Sequence, residues 1–156
     1  MLAVLADTLT GAKVNWLYMS PLVVLLGGAM LLVTVAVLTP AWPKRLYSLC
    51  TVAVSLASAV LGVVLWHRVD SLGALRIVGQ SMILDKTTAW VTITLSVSVA
   101  LVSLVTDGYL RREGLEGPEV YALYLIAALG GIVMGSANDL IVLFLGLEVL
   151  SIALYV

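Results

Sequence analysis

Apolar residues along this chain occur in long runs that are bounded by charged or turn-forming residues. A membrane-spanning helix needs about 20 mostly apolar residues, and each run approaches that length. The pattern therefore predicts an all-α integral membrane protein with five transmembrane helices. The predicted spans are Pro21–Leu38, Leu46–Trp66, Thr87–Thr106, Val120–Ser136 and Leu140–Val156.

Connections between the runs differ in length. The longest, Asp70–Asp85, contains a stretch from Leu75 to Leu84 whose weak alternation favours a short strand or hairpin. The shortest, Ser136–Asp139, has room only for a turn between helices, with Asn138 or Asp139 as a helix cap. We therefore expect the fourth and fifth helices to be antiparallel neighbours.

Small residues recur every four positions in three of the runs, and such stripes let helices pack closely in a membrane. We prefer this interpretation to the alternative of a polar conduction path. The stripes are Thr51, Ser55 and Ala59; Thr88, Thr92, Ser96 and Ala100; and Ala127, Gly131 and Gly135.

Composition supports a membrane protein and excludes several functions. Of the 156 residues, 62% are hydrophobic and 11% are charged, whereas globular chains average about 25% charged residues. A net charge of −1 without a basic tract argues against a nucleic-acid partner, so we expect partners within the lipid bilayer. Cys50 is the single cysteine, which excludes an intrachain disulfide. We find no metal-ligand cluster, phosphate-binding loop or nucleophile–histidine–acid set, and expect neither cofactor nor redox site here.

Glu148 is the one charged residue deep inside an apolar run. An acidic side chain at the centre of a membrane helix costs about 2.5–3.5 kcal/mol, so such a residue is a proton or ion site or half of a buried pair. Ser151, Ile152 and Tyr155 follow at helical spacing, and the two hydroxyls can support a proton relay. The alternative is a glutamate that pairs with a cation of another helix only to fix packing.

The carboxyl-terminal quarter carries a distinctive motif. It reads PEVYALYLIAALGG from Pro118, then SAN from Ser136, then LFLGLEVLSIALY from Leu143. This pattern strongly resembles subunit N of bacterial respiratory complex I, whose members have about fourteen helices. Before Glu119 the resemblance is one of layout, with Asp85 just ahead of the third helix.

The resemblance implies an antiporter-like, proton-translocating membrane subunit of NADH:quinone oxidoreductase in the bacterial inner (plasma) membrane, with its amino terminus outside. Glu148 would be the coupling residue, facing a lysine of a later helix. Partners would be the other membrane subunits; NADH, flavin and iron–sulfur clusters would belong to partner subunits, with quinone as the substrate. The chain would divide into an amino-terminal segment 1–20, three leading helices in 21–106, and the start of the first antiporter-like repeat in 107–156.

Two alternatives stay open, namely a subunit of a multisubunit cation/proton antiporter and a structural membrane subunit.

Basic residues do not decide the orientation of the chain in the membrane, because four lie on each side. Since the sequence stops within the fifth run and has no intramembrane lysine, we expect a truncated subunit rather than a naturally split one. The two basic groups are Lys44, Arg45, Arg111 and Arg112 against Lys13, Arg68, Arg76 and Lys86.

Overall fold

The computed structural model describes residues 16–39, 43–78, 80–113 and 117–155. Most of the predicted segment 1–20, and the last residue of the fifth run, lie outside these ranges. Within them the chain forms five helices and one β-hairpin. The elements are α1 (Ser20–Leu38), α2 (Lys44–Leu72), β1 (Leu75–Ile77), β2 (Met82–Leu84), α3 (Lys86–Glu113), α4 (Pro118–Ser136) and α5 (Leu140–Tyr155).

The helical membrane architecture predicted from the apolar runs is confirmed. Helices α1 to α4 are each long and apolar enough to cross a membrane, while α5 is a shorter apolar helix of 16 residues. Helices α2 and α3 run beyond their apolar runs, to Leu72 and Glu113. Hydropathy marks the part of a helix in the hydrocarbon, whereas its polar ends can continue into the interface. Asp70 therefore lies in the last turn of α2 rather than in a connection.

Helix α4 lies at the centre of the bundle and packs against α1, α3 and α5. Its interface with α1 forms the main hydrophobic core, in which Leu25, Leu32 and Leu125 are almost completely buried. On its α3 side, a Cβ atom at Gly131 would lie 2.7 Å from Leu95, and one at Gly135 would lie 2.9 Å from Val91. The predicted small-residue stripe on α4 is therefore a packing face for α3.

The other two small-residue stripes are buried on α2 and α3, which pack extensively against each other. The Ser96 hydroxyl donates to the Ser58 hydroxyl (3.0 Å), and the Ser48 hydroxyl donates to the Ser103 carbonyl (3.1 Å). Most other hydroxyls donate to a carbonyl four residues earlier in their own helix, as Ser55 does. Apart from Thr88, whose hydroxyl lies near the Gly135 carbonyl of α4, these bonds stay within the helix pair, so the two stripes serve the packing of α2 against α3.

The connection between the second and third helices, for which a short strand or a hairpin was predicted, forms a hairpin. Strands β1 and β2 are antiparallel, with Leu75 opposite Leu84 and Ile77 opposite Met82. The hairpin covers one end of the bundle, where its buried side chains pack against the carboxyl-terminal part of α2. This apolar cluster, termed the hairpin cluster below, consists of Leu65, Val69, Ile77, Met82 and Leu84.

Candidate functional site on the fifth helix

Helix α5 begins directly after the turn that follows α4. The carboxylate of Asp139 accepts a hydrogen bond from the Val142 amide (2.8 Å), so Asp139 is the helix cap. Of the two predicted cap residues, Asn138 has another role: its side-chain amide donates to the carbonyl of Gln80 (2.7 Å) in the hairpin. The short turn makes α4 and α5 antiparallel neighbours, as predicted.

Two glycines bring the backbones of α4 and α5 into contact. A Cβ atom at Gly130 would lie 2.7 Å from the Leu150 nitrogen and 2.9 Å from the Gly146 oxygen. One at Gly146 would lie 2.8 Å from the Met134 nitrogen. Because these neighbours are backbone atoms that cannot rotate away, any larger residue would push the helices apart. Gly146 is therefore the centre of the face by which α5 binds α4.

Glu148 points away from that face. At 3.6 residues per turn, a residue two positions after Gly146 is rotated by roughly 200° around the helix axis. The burial pattern agrees, since Gly146 and Ala153 are buried whereas Glu148 is exposed. By the same geometry Ser151 and Tyr155 lie within about 40° of the direction opposite Gly146; Ser151 is partly buried and Tyr155 is 87% exposed.

The surroundings of Glu148 are apolar. Its exposed neighbours on the helix include Phe144, Leu145 and Ile152. In the described part of the chain no cation contacts Glu148, and no hydrogen bond joins it to Ser151 or Tyr155. The proton-transfer role of Glu148, and the supporting role of the two hydroxyls, therefore stay predictions.

Other charged groups lie at the ends of α2 and α3, where they form an ion pair and a helix cap. Lys86, at the start of α3, pairs with Asp70, at the end of α2, and both side chains are more than half exposed. The Asp85 carboxylate accepts a hydrogen bond from the Thr88 amide (2.7 Å) and so caps α3. These groups lie at the hairpin end of the bundle and serve helix ends. Over the described ranges, no group of three or more His, Cys, Asp or Glu residues is placed to hold a metal ion.

Sequence reasoning missed Gly130, Gly146 and the hairpin contact of Asn138. The glycines carried a signal, because each is a small residue in an apolar run, but the four-residue stripe drew attention to Gly131 and Gly135 instead. The Asn138 contact joins positions 58 residues apart, and no local pattern indicates such a pairing.

No family model matches the chain, but individual proteins do. It is 32% identical over 145 residues to NADH-quinone oxidoreductase subunit N 2 of Roseiflexus castenholzii, covering 92% of this chain and 28% of that protein. It is 31% identical over 153 residues to subunit N of Chloroflexus aggregans, covering 96% and 30%. A shorter match to subunit N of Nitrosomonas europaea is 49% identical over 59 residues, covering 38% and 12%. The chain thus spans about three tenths of the length of the first two relatives.

Proposed function

This chain is homologous, over nine tenths of its length, to part of subunit N of NADH-quinone oxidoreductases, and we propose that it belongs to a proton-translocating membrane subunit of such an enzyme. In this proposal the complex reduces quinone with electrons from NADH, and this chain carries no redox group. Glu148 takes part in proton transfer and couples it to quinone reduction.

The position of Glu148 is the observation that carries the proposal. Its carboxylate lies on the exposed side of an apolar helix, turned away from α4. A charge facing hydrocarbon is costly, so intramembrane carboxylates face a protein interior or a polar cavity. We therefore infer that Glu148 faces a cationic side chain supplied by a helix outside the described residues. A nearby cation favours the charged form of a carboxylate and burial disfavours it, so moving that cation would load and release a proton.

The remaining parts of the proposal follow from membership in such a complex. Partners would be the other membrane subunits and the bilayer, while flavin and iron–sulfur clusters would reside in partner subunits. The protein would lie in the bacterial inner membrane with its amino terminus outside. In that orientation the hairpin and the turn between α4 and α5 are on the outer side.

Copurification tests this proposal. The full-length protein that contains this chain is tagged and purified in mild detergent from its native membrane, beside an unrelated tagged multipass protein as a control. We expect subunits that hold flavin and iron–sulfur clusters, and NADH:quinone reductase activity, only in the specific sample. Copurification with cation/proton antiporter subunits instead, without that activity, would contradict the proposal in favour of the antiporter alternative.

A further inference from the structure

The β-hairpin contacts the turn between α4 and α5 through main-chain and side-chain groups. The backbone N–H of Asn138 donates to the Ser81 carbonyl (2.9 Å), and the side-chain amide of Asn138 donates to the Gln80 carbonyl (2.7 Å). Met82 of β2 and Ala137 form an antiparallel bridge. The turn is thus joined to the hairpin almost as an additional strand residue would be.

Thr88 adds a second contact between the hairpin and α4. The Thr88 hydroxyl, in the first turn of α3, lies 3.0 Å from the Ile83 carbonyl and 3.1 Å from the Gly135 carbonyl. It therefore bridges strand β2 and the last turn of α4. Val142, in the first turn of α5, packs against the hairpin cluster. The hairpin consequently contacts the end of α4 and the beginning of α5 together.

The hairpin itself is firmly held. Ile77, Met82 and Leu84 are at least 92% buried in the hairpin cluster. Its turn includes Val78 at φ +52° and Gln80 at φ +82°, a backbone region that residues other than glycine rarely adopt. Such conformations persist where surrounding contacts determine them. The hairpin is therefore a fixed point to which the beginning of α5 can be attached.

We propose that the β-hairpin positions α5, and that Asn138 is a positioning residue for Glu148; this rests on the proposed function. The contact of Gly130 with Gly146 allows α4 and α5 to approach closely. Rotation of α5 about its own axis would change the direction of Glu148, and attachment of its first turn to the hairpin opposes that rotation. Asn138 acts on the proton site through α5, without touching it.

Cross-linking measures the attachment without reference to proton transfer. Cysteines replace Met82 and Ala137 in the full-length protein within its native membrane, with Cys50→Ser as background, because bridge partners lie at disulfide distance. We expect Asn138→Ala to lower the cross-linked fraction at equilibrium, since loss of one neutral hydrogen bond shifts a docking equilibrium about two- to twelvefold. Ser71→Ala, which removes an exposed hydroxyl bonded within α2 at the same end, should leave it unchanged.

An undiminished cross-link in Asn138→Ala would overturn the proposal. Should that variant fail to accumulate, Thr88→Val removes the bridging hydroxyl with little change of shape, and the same decrease is expected. The same undiminished cross-link in Thr88→Val would overturn the proposal as well.

A second measurement asks whether Asn138 acts through Glu148. In the assembled complex, Asn138→Ala should lower proton translocation, but should cause no further loss when Glu148→Gln is already present, because residues acting as one unit are not additive. Equal losses in both backgrounds would overturn the positioning role. Wild-type translocation by Glu148→Gln alone would refute the proposed function instead, and the cross-link still decides whether the hairpin anchors α5.

Discussion

Gly130 and Gly146 determine where the Glu148 side chain lies. Their backbone contact fixes the face of α5 that binds α4, and Glu148 follows on the opposite side. The sequence alone identifies Glu148, because a single charge in an apolar run is conspicuous. It does not reveal the direction of the side chain, because that depends on which of the adjacent residues Gly130 and Gly131 meets α5.

Gly130→Ala should destabilise the protein. The added methyl group would lie 2.7 Å from the backbone nitrogen of Leu150 and 2.9 Å from the Gly146 oxygen. Overpacking of this kind costs typically about 1–3 kcal/mol. The midpoint of thermal unfolding of the purified full-length protein should therefore fall. Gly27→Ala is the matched control, because a Cβ there meets nothing within 4 Å and alanine favours a helix. Equal midpoints for the two variants would contradict the close approach of α4 and α5.

The strand pattern of the hairpin could be predicted from the sequence, but the contacts that the hairpin makes could not. The weak alternation between Leu75 and Leu84 predicts a short strand or a hairpin in this connection, since strand periodicity is a local property. Its attachment to Asn138 is not local, because the two partners are 58 residues apart. The predicted helix ends differ from the observed ones for another reason. A membrane helix can continue past the point where hydropathy falls, and α2 extends beyond its predicted end at Trp66 to Leu72.

The orientation of the helices gives a further prediction. The proposed topology places the hairpin end of the bundle outside, and the basic residue Arg45 at the start of α2 inside. A cysteine at Ser71, which is exposed at the end of α2, should be labelled by an impermeant thiol reagent from outside. One at Gly114, outside the described residues, should be labelled only from the cytoplasmic side. Labelling at Gly114 from outside would contradict the topology.

At the scale of the whole molecule, the side of α5 that faces away from α4 is exposed and must be covered by lipid or by other protein. Leu140, Phe144 and Tyr155 are more than half exposed, and Glu148 is an exposed residue on the same side. Lipid can cover the apolar side chains, but hydrocarbon cannot solvate a carboxylate. The relatives are more than three times the length of the matched region, so in those proteins further chain is available to cover this side of the helix.

Proton translocation by the complete complex with Glu148→Gln shows whether Glu148 takes part in proton transfer. Glutamine keeps the size and much of the hydrogen bonding of glutamate but does not titrate. We expect normal assembly, with proton translocation and coupled quinone reduction reduced to a small fraction of the wild-type rate. Glu148→Asp, which retains the charge on a shorter side chain, should lose less. Wild-type translocation by an assembled Glu148→Gln complex would rule out a proton-transfer role and leave Glu148 as one half of a pair that only fixes packing.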